Sequence, residues 1–432
     1  MAFCFVVFLL TVVSLVACIL IKPSVAIGRF KFKIYACIPL VGALAMLTSG
    51  YIGWGEVASE LCANTSVNPI KILLLFLSMT VFSLILEQTG FFCVVSSFVL
   101  RRAGQSQYVL FFALYVVISV LTVFTSNDII ILTFTPFIMR FCRSGNIDPF
   151  PYLFMEFVAA NTWSLLLMIG NPTNIYLGGA LGLDFLDYVR VMALPTVAAG
   201  VVSLSVMMLL FRRKLRRPIK GQAKEERITD RFTMTVALVH LLACILTLSI
   251  SQYIGLEMWL VSVAFAVSAL VMTLIGLLVR KKGLTLLRHT LGGMPIETVP
   301  FILGMFVLIS GLEHTGLIAM AADAMAEHPE MISYGYGSFL AANVFNNIPM
   351  SVLFGKLLAG GGAVSAYAVY ATVIGSNLGA FLTPIGALAG IMWNNLLSKR
   401  GLHVSFLRFL RYGAVIGIPS ITAALLVLLA IF

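Results

Sequence analysis

The chain has 432 residues, of which 60% are hydrophobic and only 10% charged, with a net charge of +11. Water-soluble chains carry about 25% charged residues, so this composition excludes an ordinary soluble enzyme. The excess of basic residues does not point to nucleic acid, because it falls in short connections between apolar runs and no basic, aromatic-rich soluble stretch is present. The seven cysteines (Cys4, Cys18, Cys37, Cys62, Cys93, Cys142, Cys244) are scattered and form no CxxC pair, so they read as small apolar residues. None of the five histidines forms HExxH, and no GxxxxGK[ST] loop occurs; Gly355-Lys356 lacks the rest of it. No resident metal or cofactor is expected.

Apolar runs of about 20 residues recur along the chain, each long enough to cross hydrocarbon as a helix. They predict spans near 3–21, 34–53, 70–90, 152–182, 188–211, 232–250, 258–279, 295–312, 366–396 and 412–432. The first run has no basic residue before it, and Lys22 follows it, so it reads as a retained span rather than a cleaved signal. Two more apolar stretches, 108–141 and 337–360, have polar centres: Thr125-Ser126-Asn127-Asp128 and Asn346-Asn347-Ile348-Pro349. These are expected to be re-entrant hairpins.

The charges fit that scheme. With the N-terminus outside, the inside connections carry Lys22, Arg29, Lys31 and Lys33, then Arg101, Arg102, Arg140 and Arg143. They also carry nine basic residues from Arg212 to Arg231, then Arg280, Lys281, Lys282 and Arg288, and finally Lys399, Arg400, Arg408 and Arg411. That places 25 of 28 Lys and Arg inside, leaving Lys71, Arg190 and Lys356. Insertion rules produce such a bias. Both termini then lie on the extracytoplasmic side.

An internal repeat is visible. Glu87-Gln88-Thr89-Gly90 closes one span and Glu313-His314-Thr315-Gly316 another, while Phe185-Leu186 with Arg190 is echoed by Phe406-Leu407 with Arg411. The expected fold is an all-α integral membrane protein of about ten transmembrane helices plus two re-entrant hairpins in two inverted repeats. It divides into N-terminal scaffold helices (1–69), a first repeat (70–211), a basic cytoplasmic linker (212–231), further scaffold helices (232–294) and a second repeat (295–432). Inverted repeats with paired broken segments are the mark of a secondary transporter with a midplane site.

Four polar clusters interrupt the apolar sequence. They are residues 125–128, Gly170-Asn171-Pro172-Thr173-Asn174, Asn346-Asn347-Ile348-Pro349, and Gly375-Ser376-Asn377 with Thr383-Pro384-Ile385-Gly386. Pro and Gly break helices, and broken backbone inside a bilayer is tolerated only where protein or a water-filled cavity satisfies it. Half-helix N-termini can face an anion, and unwound carbonyls and amides can hold Na⁺. Asp128 is the one carboxylate in these clusters, and a charge at that depth is expensive. It is the candidate for binding a coupling ion, H⁺ or Na⁺. Glu87 and Glu313 sit at span ends and read as caps or ion-pair partners. With no nucleotide loop, transport is driven by an ion gradient or by an ATPase on another chain.

These segments, together with Phe91-Phe92, Leu132-Thr133, Thr135-Pro136, Val373-Ile374 and Leu378-Gly379, make the chain resemble the ion transporter superfamily, and within it most closely the arsenite/antimonite permeases. The resemblance covers nearly the whole length. It implies a homodimer, a scaffold and a mobile transport region in each protomer, elevator-like movement, and proton-coupled export of arsenite or antimonite, sometimes with a soluble ATPase partner. It implies solute ligands at Ser126, Asn127, Asn346 and Asn347 on the hairpin tips, with Asp128 beside them, and at Asn171, Thr173, Asn174, Ser376, Asn377 and Thr383 on the broken helices. The 170–174 segment is also similar to the broken helix of carboxylate transporters and sodium/proton antiporters. A sodium-coupled citrate-type carrier is therefore a competing reading. An intramembrane enzyme would need paired acids, a Cys/His dyad or metal ligands at mid-depth, and a channel fits paired broken helices less well.

Overall fold

The structure is a computed structural model that describes residues 2–21, 25–27, 30–64, 68–180, 182–219, 227–251, 253–360, 365–398 and 400–432. Lys22, Arg29, Lys399 and the linker residues 220–226 lie outside the described residues.

The first repeat is preceded by α1 (Ala2–Ile21), a small antiparallel hairpin of β1 (Val25–Ile27) and β2 (Phe30–Phe32), α2 (Ile38–Thr48) and α3 (Trp54–Cys62). Two three-residue strands are the only departure from an all-helical chain among the described residues. The first repeat then runs α4 (Pro69–Gln88), α5 (Phe91–Ala103), α6 (Gln107–Phe124), α7 (Asn127–Gly145), α8 (Phe150–Trp163), α9 (Pro172–Ala180) and α10 (Phe185–Leu215). Two long helices, α11 (Arg231–Ile250) and α12 (Met258–Val279), and the short α13 (Thr285–Gly292) connect it to the second repeat. That repeat runs α14 (Thr298–His314), α15 (Leu317–Ala326), α16 (Gly337–Phe345), α17 (Asn347–Gly360), α18 (Ala366–Leu378), α19 (Leu388–Ser398) and α20 (Phe406–Ile431).

Seven helices among the described residues are long and apolar enough to span a bilayer unbroken: α1, α4, α6, α10, α11, α12 and α20. The sequence predicts about ten, and the difference has a cause. Two predicted spans are broken into the pairs α8/α9 and α18/α19. The predicted 34–53 span contains a 3₁₀ turn at Ile34–Ala36 and the 11-residue α2, the latter about 16 Å long at 1.5 Å per residue. The helix α14 has 17 residues and bends by 80° into α15. Conversely α6, an arm of the first hairpin, has itself a spanning length.

The repeat is structural as well as textual. Gly90 and Gly316 both adopt the left-handed conformation, at φ 78° and 76°, which glycine reaches without strain. The preceding threonines both turn back on the helix: Thr89 Oγ1 donates to the Leu86 carbonyl at 2.8 Å and Thr315 Oγ1 to the Leu312 carbonyl at 2.7 Å. The second pair of echoed segments opens α10 and α20, which pack against each other.

Side-chain contacts between remote segments sort the connections into two sets. One set holds Lys214 with Asp148, Arg280 and Lys282 with Asp230, Thr229 with Thr89, and Lys33 with Glu297. The other holds Glu56 with His314, Glu60 with Ser310, Lys71 with Glu257, Lys356 with Glu313, and Glu330 with Ser365. No contact in either set mixes connections that the charge pattern puts on opposite faces. Glu313 is thus an ion-pair partner, as its span-end position predicts.

Both hairpins start and finish at one face. The Gln105 carbonyl, just before α6, accepts from the Ile219 N–H at 3.0 Å, while Gly145 at the end of α7 lies against the Ile219 side chain. For the second hairpin, Glu330 before the entry reaches Ser365 after the exit. The two hairpins enter from opposite faces.

Packing explains which surfaces are apolar. The α4 window is 78% buried, whereas those of α11 and α12 are 33% and 39% buried. Their outer stripes, Val239, Leu242 and Leu246 on α11 and Val267, Val271 and Ile275 on α12, are exposed and suit lipid rather than water. Asp230 caps α11 through the Thr233 N–H at 3.2 Å and holds Arg280 and Lys282 at 2.6 and 3.1 Å. Burial alone would raise its pKa; the Arg280 guanidinium, the Thr233 N–H and Lys282 outweigh burial and hold it down to about 2.

Candidate functional site

The break after α8 is built by Asn174 and Asn171. The helix stops at Trp163 and resumes at Pro172, whose missing N–H is harmless in a first turn. The carbonyls released by the break need partners. Asn174 Nδ2 supplies them, donating to the Ser164 and Leu167 carbonyls at 2.8 and 3.3 Å. Asn171 Oδ1 accepts from the Thr173 N–H at 3.2 Å and caps the new helix.

The break after α18 is satisfied from the second hairpin instead. Asn343 on α16 donates to the Gly379 carbonyl at 2.9 Å and accepts from Thr383 Oγ1 at 2.7 Å. Asn346 Nδ2 donates to the Ile385 carbonyl at 2.8 Å, and the Asn347 N–H to the Gly386 carbonyl at 3.0 Å. Asn346 has φ 72° and ψ 152°, a region that is otherwise essentially glycine's and costs about 1–3 kcal/mol. The helix α18 lies close against the entering arm of the second hairpin: a Cβ on Gly375 would lie 2.0 Å from Ser338 Oγ and 2.4 Å from the Gly335 carbonyl oxygen.

Asn377 joins the two breaks. Its Oδ1 accepts from Asn171 Nδ2 at 2.8 Å and from Ser164 Oγ at 3.2 Å. Its Nδ2 donates to Asn174 Oδ1 at 2.7 Å and to the Val373 carbonyl at 2.9 Å, with Thr173 Oγ1 at 3.5 Å. All these side chains are at most 2% exposed. The first hairpin tip reaches the same cluster through Asn127 Nδ2, which donates to Asn161 Oδ1 at 3.1 Å; the Asn161 carbonyl accepts from Ser164 Oγ at 3.1 Å. The second tip reaches it through Ser351 Oγ, 3.3 Å from Ser376 Oγ, and Ser351 in turn bonds the Asn347 carbonyl at 2.7 Å. The four polar interruptions therefore form one connected network.

The hydrogen-bonding capacity of this network is unevenly used. Asn171, Asn174 and Asn377 bond one another, so their amides are occupied in this conformation. Asn347 Oδ1 is buried and has no hydrogen-bond partner among the described residues. Ser126 and Asp128 open instead onto a cleft of about 560 Å³ that also touches Lys33, Tyr35, Thr80 and Glu297. Lys33 and Glu297 form an ion pair there. Ser126 also caps α7, accepting from the Asp128 N–H at 3.3 Å. A second cleft, of about 780 Å³, lies at the other face between α4 and α9, where Lys71 and Glu257 pair. Both clefts run along α4.

Sequence reasoning missed Asn161, Ser164, Asn343 and Ser351, which bridge the clusters. Each is a single polar residue in an apolar run, and a lone polar residue inside a membrane helix was the available signal. The pairing of Lys33 with Glu297 beside Asp128 had none, since the two stand 264 positions apart. Among the described residues no group of three or more His, Cys, Asp or Glu side chains is placed to hold a metal ion.

Known proteins are similar to this chain in architecture and in sequence. The fold is similar to that of the YdaH transporter of Alcanivorax borkumensis, with a TM-score of 0.57 at 13% identity, covering 98% of this chain and 97% of that one. The arsenical pump membrane protein of Escherichia coli (strain K12) is 28% identical over 404 residues, covering 89% of this chain and 91% of the relative. That of Yersinia enterocolitica is 28% identical over 369 residues, covering 81% and 84%. An uncharacterized transporter of Mycobacterium tuberculosis is 24% identical over 412 residues, covering 91% and 92%. Residues 6–373 match the citrate transporter family (CitMHS), so a chain whose apolar helices enclose a buried amide network between two breaks belongs to that family and is a multi-pass membrane transporter of the ion transporter superfamily.

Proposed function

We propose that the chain is a secondary active transporter of a small anion or metalloid oxyacid, of arsenite type, driven by an ion gradient, most simply of protons. The observation that carries this reading is the arrangement around α4: one cleft at each face, with the hairpin tips and both helix breaks in one network between them. A fixed site with two alternative mouths is the requirement for alternating access. The ligand set is Ser126, Asn127, Asn171, Thr173, Asn174, Asn346, Asn347, Ser376, Asn377 and Thr383. Asp128, in the cleft with Lys33, binds the coupling ion. Because the amides of Asn171, Asn174 and Asn377 bond one another in this conformation, solute binding requires some of these bonds to open. Movement is of elevator type, the hairpins and broken helices (α6–α9 and α16–α19) travelling against α4, α14 and the remaining scaffold. The moving segments lie inside the two repeats read from the sequence, 70–211 and 295–432, and each repeat also contributes scaffold helices, α4 and α10 in the first and α14 and α20 in the second.

The protein resides in the cell (inner) membrane with both termini extracytoplasmic and works as a homodimer. The arsenical pump relatives support a metalloid substrate and leave room for a soluble ATPase partner. A specific observation favours a second reading, a sodium-coupled di- or tricarboxylate carrier: the family is named for citrate transport, and amides with broken-helix carbonyls suit Na⁺. Purified protein in proteoliposomes, given arsenite, citrate or succinate under separately imposed proton and sodium gradients, decides between them. Arsenite movement driven by the proton gradient supports the first reading. Sodium-driven citrate or succinate uptake replaces it with the second. Movement of none of these solutes under either gradient rejects both.

A further inference from the structure

We infer that Glu156 is a second proton-binding group of the transport region, one that titrates as the returning arm of the first hairpin parts from α8. Glu156 lies in the middle of α8 and is 0% exposed. Its bonding partner is Thr135 of α7, whose hydroxyl donates to the two carboxyl oxygens at 2.9 and 3.1 Å. No cation among the described residues pairs with it.

The elements packed on α8 show why no cation arrives. The helices α6 and α18 present only the tyrosines Tyr108, Tyr115, Tyr367 and Tyr370, and α19 carries nothing titratable. On α7 the charged residues are Asp128, at the tip, and Arg140 and Arg143, toward the opposite end; Cys142 lies between the two arginines. On α10, Lys214 is taken by Asp148 and Arg190 by Asp187, and Arg212 and Arg213 sit in its last turn. Arg408 of α20 stacks on the Phe150 ring at 3.8 Å, with Arg411 and Tyr412 beyond it. Tyr152, one turn earlier on α8, bonds Gln107.

An ionised carboxylate buried without a cation is costly. This packing therefore accepts the neutral acid, and a buried acid with a single hydroxyl partner loses its proton only when the packing opens. Two side-chain bridges tie α7 to α8, Asn127 to Asn161 and Thr135 to Glu156. Parting of the hairpin arm breaks both and lets water reach the carboxyl. Pro136, directly after Thr135, removes a helix N–H at that level of α7 and makes the arm pliable there. The inference rests on the proposed ion-driven transport for its role, but the protonation itself is measurable without a solute.

The test is pH-difference infrared spectroscopy of the purified protein in lipid from about pH 5 to about pH 9, together with the pH profile of arsenite and citrate flux. A protonated-carboxyl stretch that titrates in the wild type, disappears in Glu156→Gln and moves to higher frequency in Thr135→Val, where the acid loses its hydroxyl partner, supports the assignment. Circular dichroism checks that both variants keep the wild-type helical content. The flux of Glu156→Gln then loses a pH dependence of about tenfold per unit. Because Asp128 contributes a carboxyl band of its own, the comparison is the wild-type-minus-Glu156→Gln difference: a difference spectrum with no titrating carboxyl band, or a Glu156 band that does not change with pH, overturns the inference. Should the wild type move neither solute, the transport reading fails while the infrared result still decides the inference.

Discussion

Asn171 and Asn377 meet at 2.8 Å although 206 positions separate them, and the bond crosses from the helix break of the first repeat to that of the second. Asn377 answers with its own donor to Asn174 at 2.7 Å. One amide thus satisfies both an amide donor and an amide acceptor of the partner repeat, which a side chain with two acceptors or none cannot do.

Asn377→Ala leaves Asn171 Nδ2 and Asn174 Oδ1 buried without their partner. Each orphaned group costs about 1–3 kcal/mol, so the variant melts earlier and does not transport. Asn377→Asp separates geometry from charge. The carboxylate still accepts from Asn171 and Ser164, but it faces Asn174 Oδ1 with a second oxygen. Protonation restores a donor there. Transport by Asn377→Asp therefore recovers as pH falls, and flux measured against pH shows this; a profile identical to that of the wild type contradicts the clasp.

Asp128→Asn tests the cleft. The amide keeps the size and hydrogen-bonding reach of the carboxyl but cannot release a proton. The chain inserts and folds, while accumulation driven by an ion gradient disappears. Proteoliposomes with a proton gradient and a fluorescent pH reporter measure both fluxes. Wild-type accumulation in this variant removes Asp128 from coupling.

Asn347 makes a prediction with an unusual sign. Its Oδ1 is buried without a partner among the described residues, and such a group costs stability until a ligand supplies a donor. Asn347→Ala removes that cost. The variant melts at the wild-type temperature or slightly above it, yet binds solute more weakly, by about tenfold for one lost hydrogen bond. Thermal melting with and without arsenite or citrate reads both effects. Lower stability with unchanged affinity would make Asn347 a structural residue.

What the sequence reveals follows from the chemistry of the bilayer. Asn171, Asn174, Asn346 and Asn377 are legible because each stands within three residues of a Gly or Pro in an apolar run, and only a satisfied break explains that combination. The left-handed turns at Gly90 and Gly316 are legible through the repeated Glu-x-Thr-Gly spelling. Asn161 and Ser351 are illegible as site residues, because one polar residue on an unbroken helix also serves as interhelical glue. Lys33, Glu297 and Asp128 lie on three remote segments that meet only in the cleft beside α4, and nothing local in the sequence announces that meeting. The span predicted at 34–53 and the hairpin arms predicted in 108–141 misjudge length for a related reason: hydropathy measures apolarity, and both the short α2 and the long α6 are apolar.

Sidedness is testable with native and added cysteines. Cys62 is exposed at the end of α3, on the face shared by Glu56, His314, Lys71 and Glu257. Arg216 is exposed on the face shared by Asp148, Asp230 and Arg280. The concentration of basic residues on that second face predicts, by the insertion bias, that it is the cytoplasmic one. In intact cells a membrane-impermeant maleimide therefore labels Cys62. In a Cys62→Ser background carrying Arg216→Cys, the same reagent labels only after the membrane is opened. The reverse pattern would invert the topology. Labelling of both positions in intact cells would contradict the division into two faces, and with it the opposite entry of the two hairpins on which a shared midplane network depends.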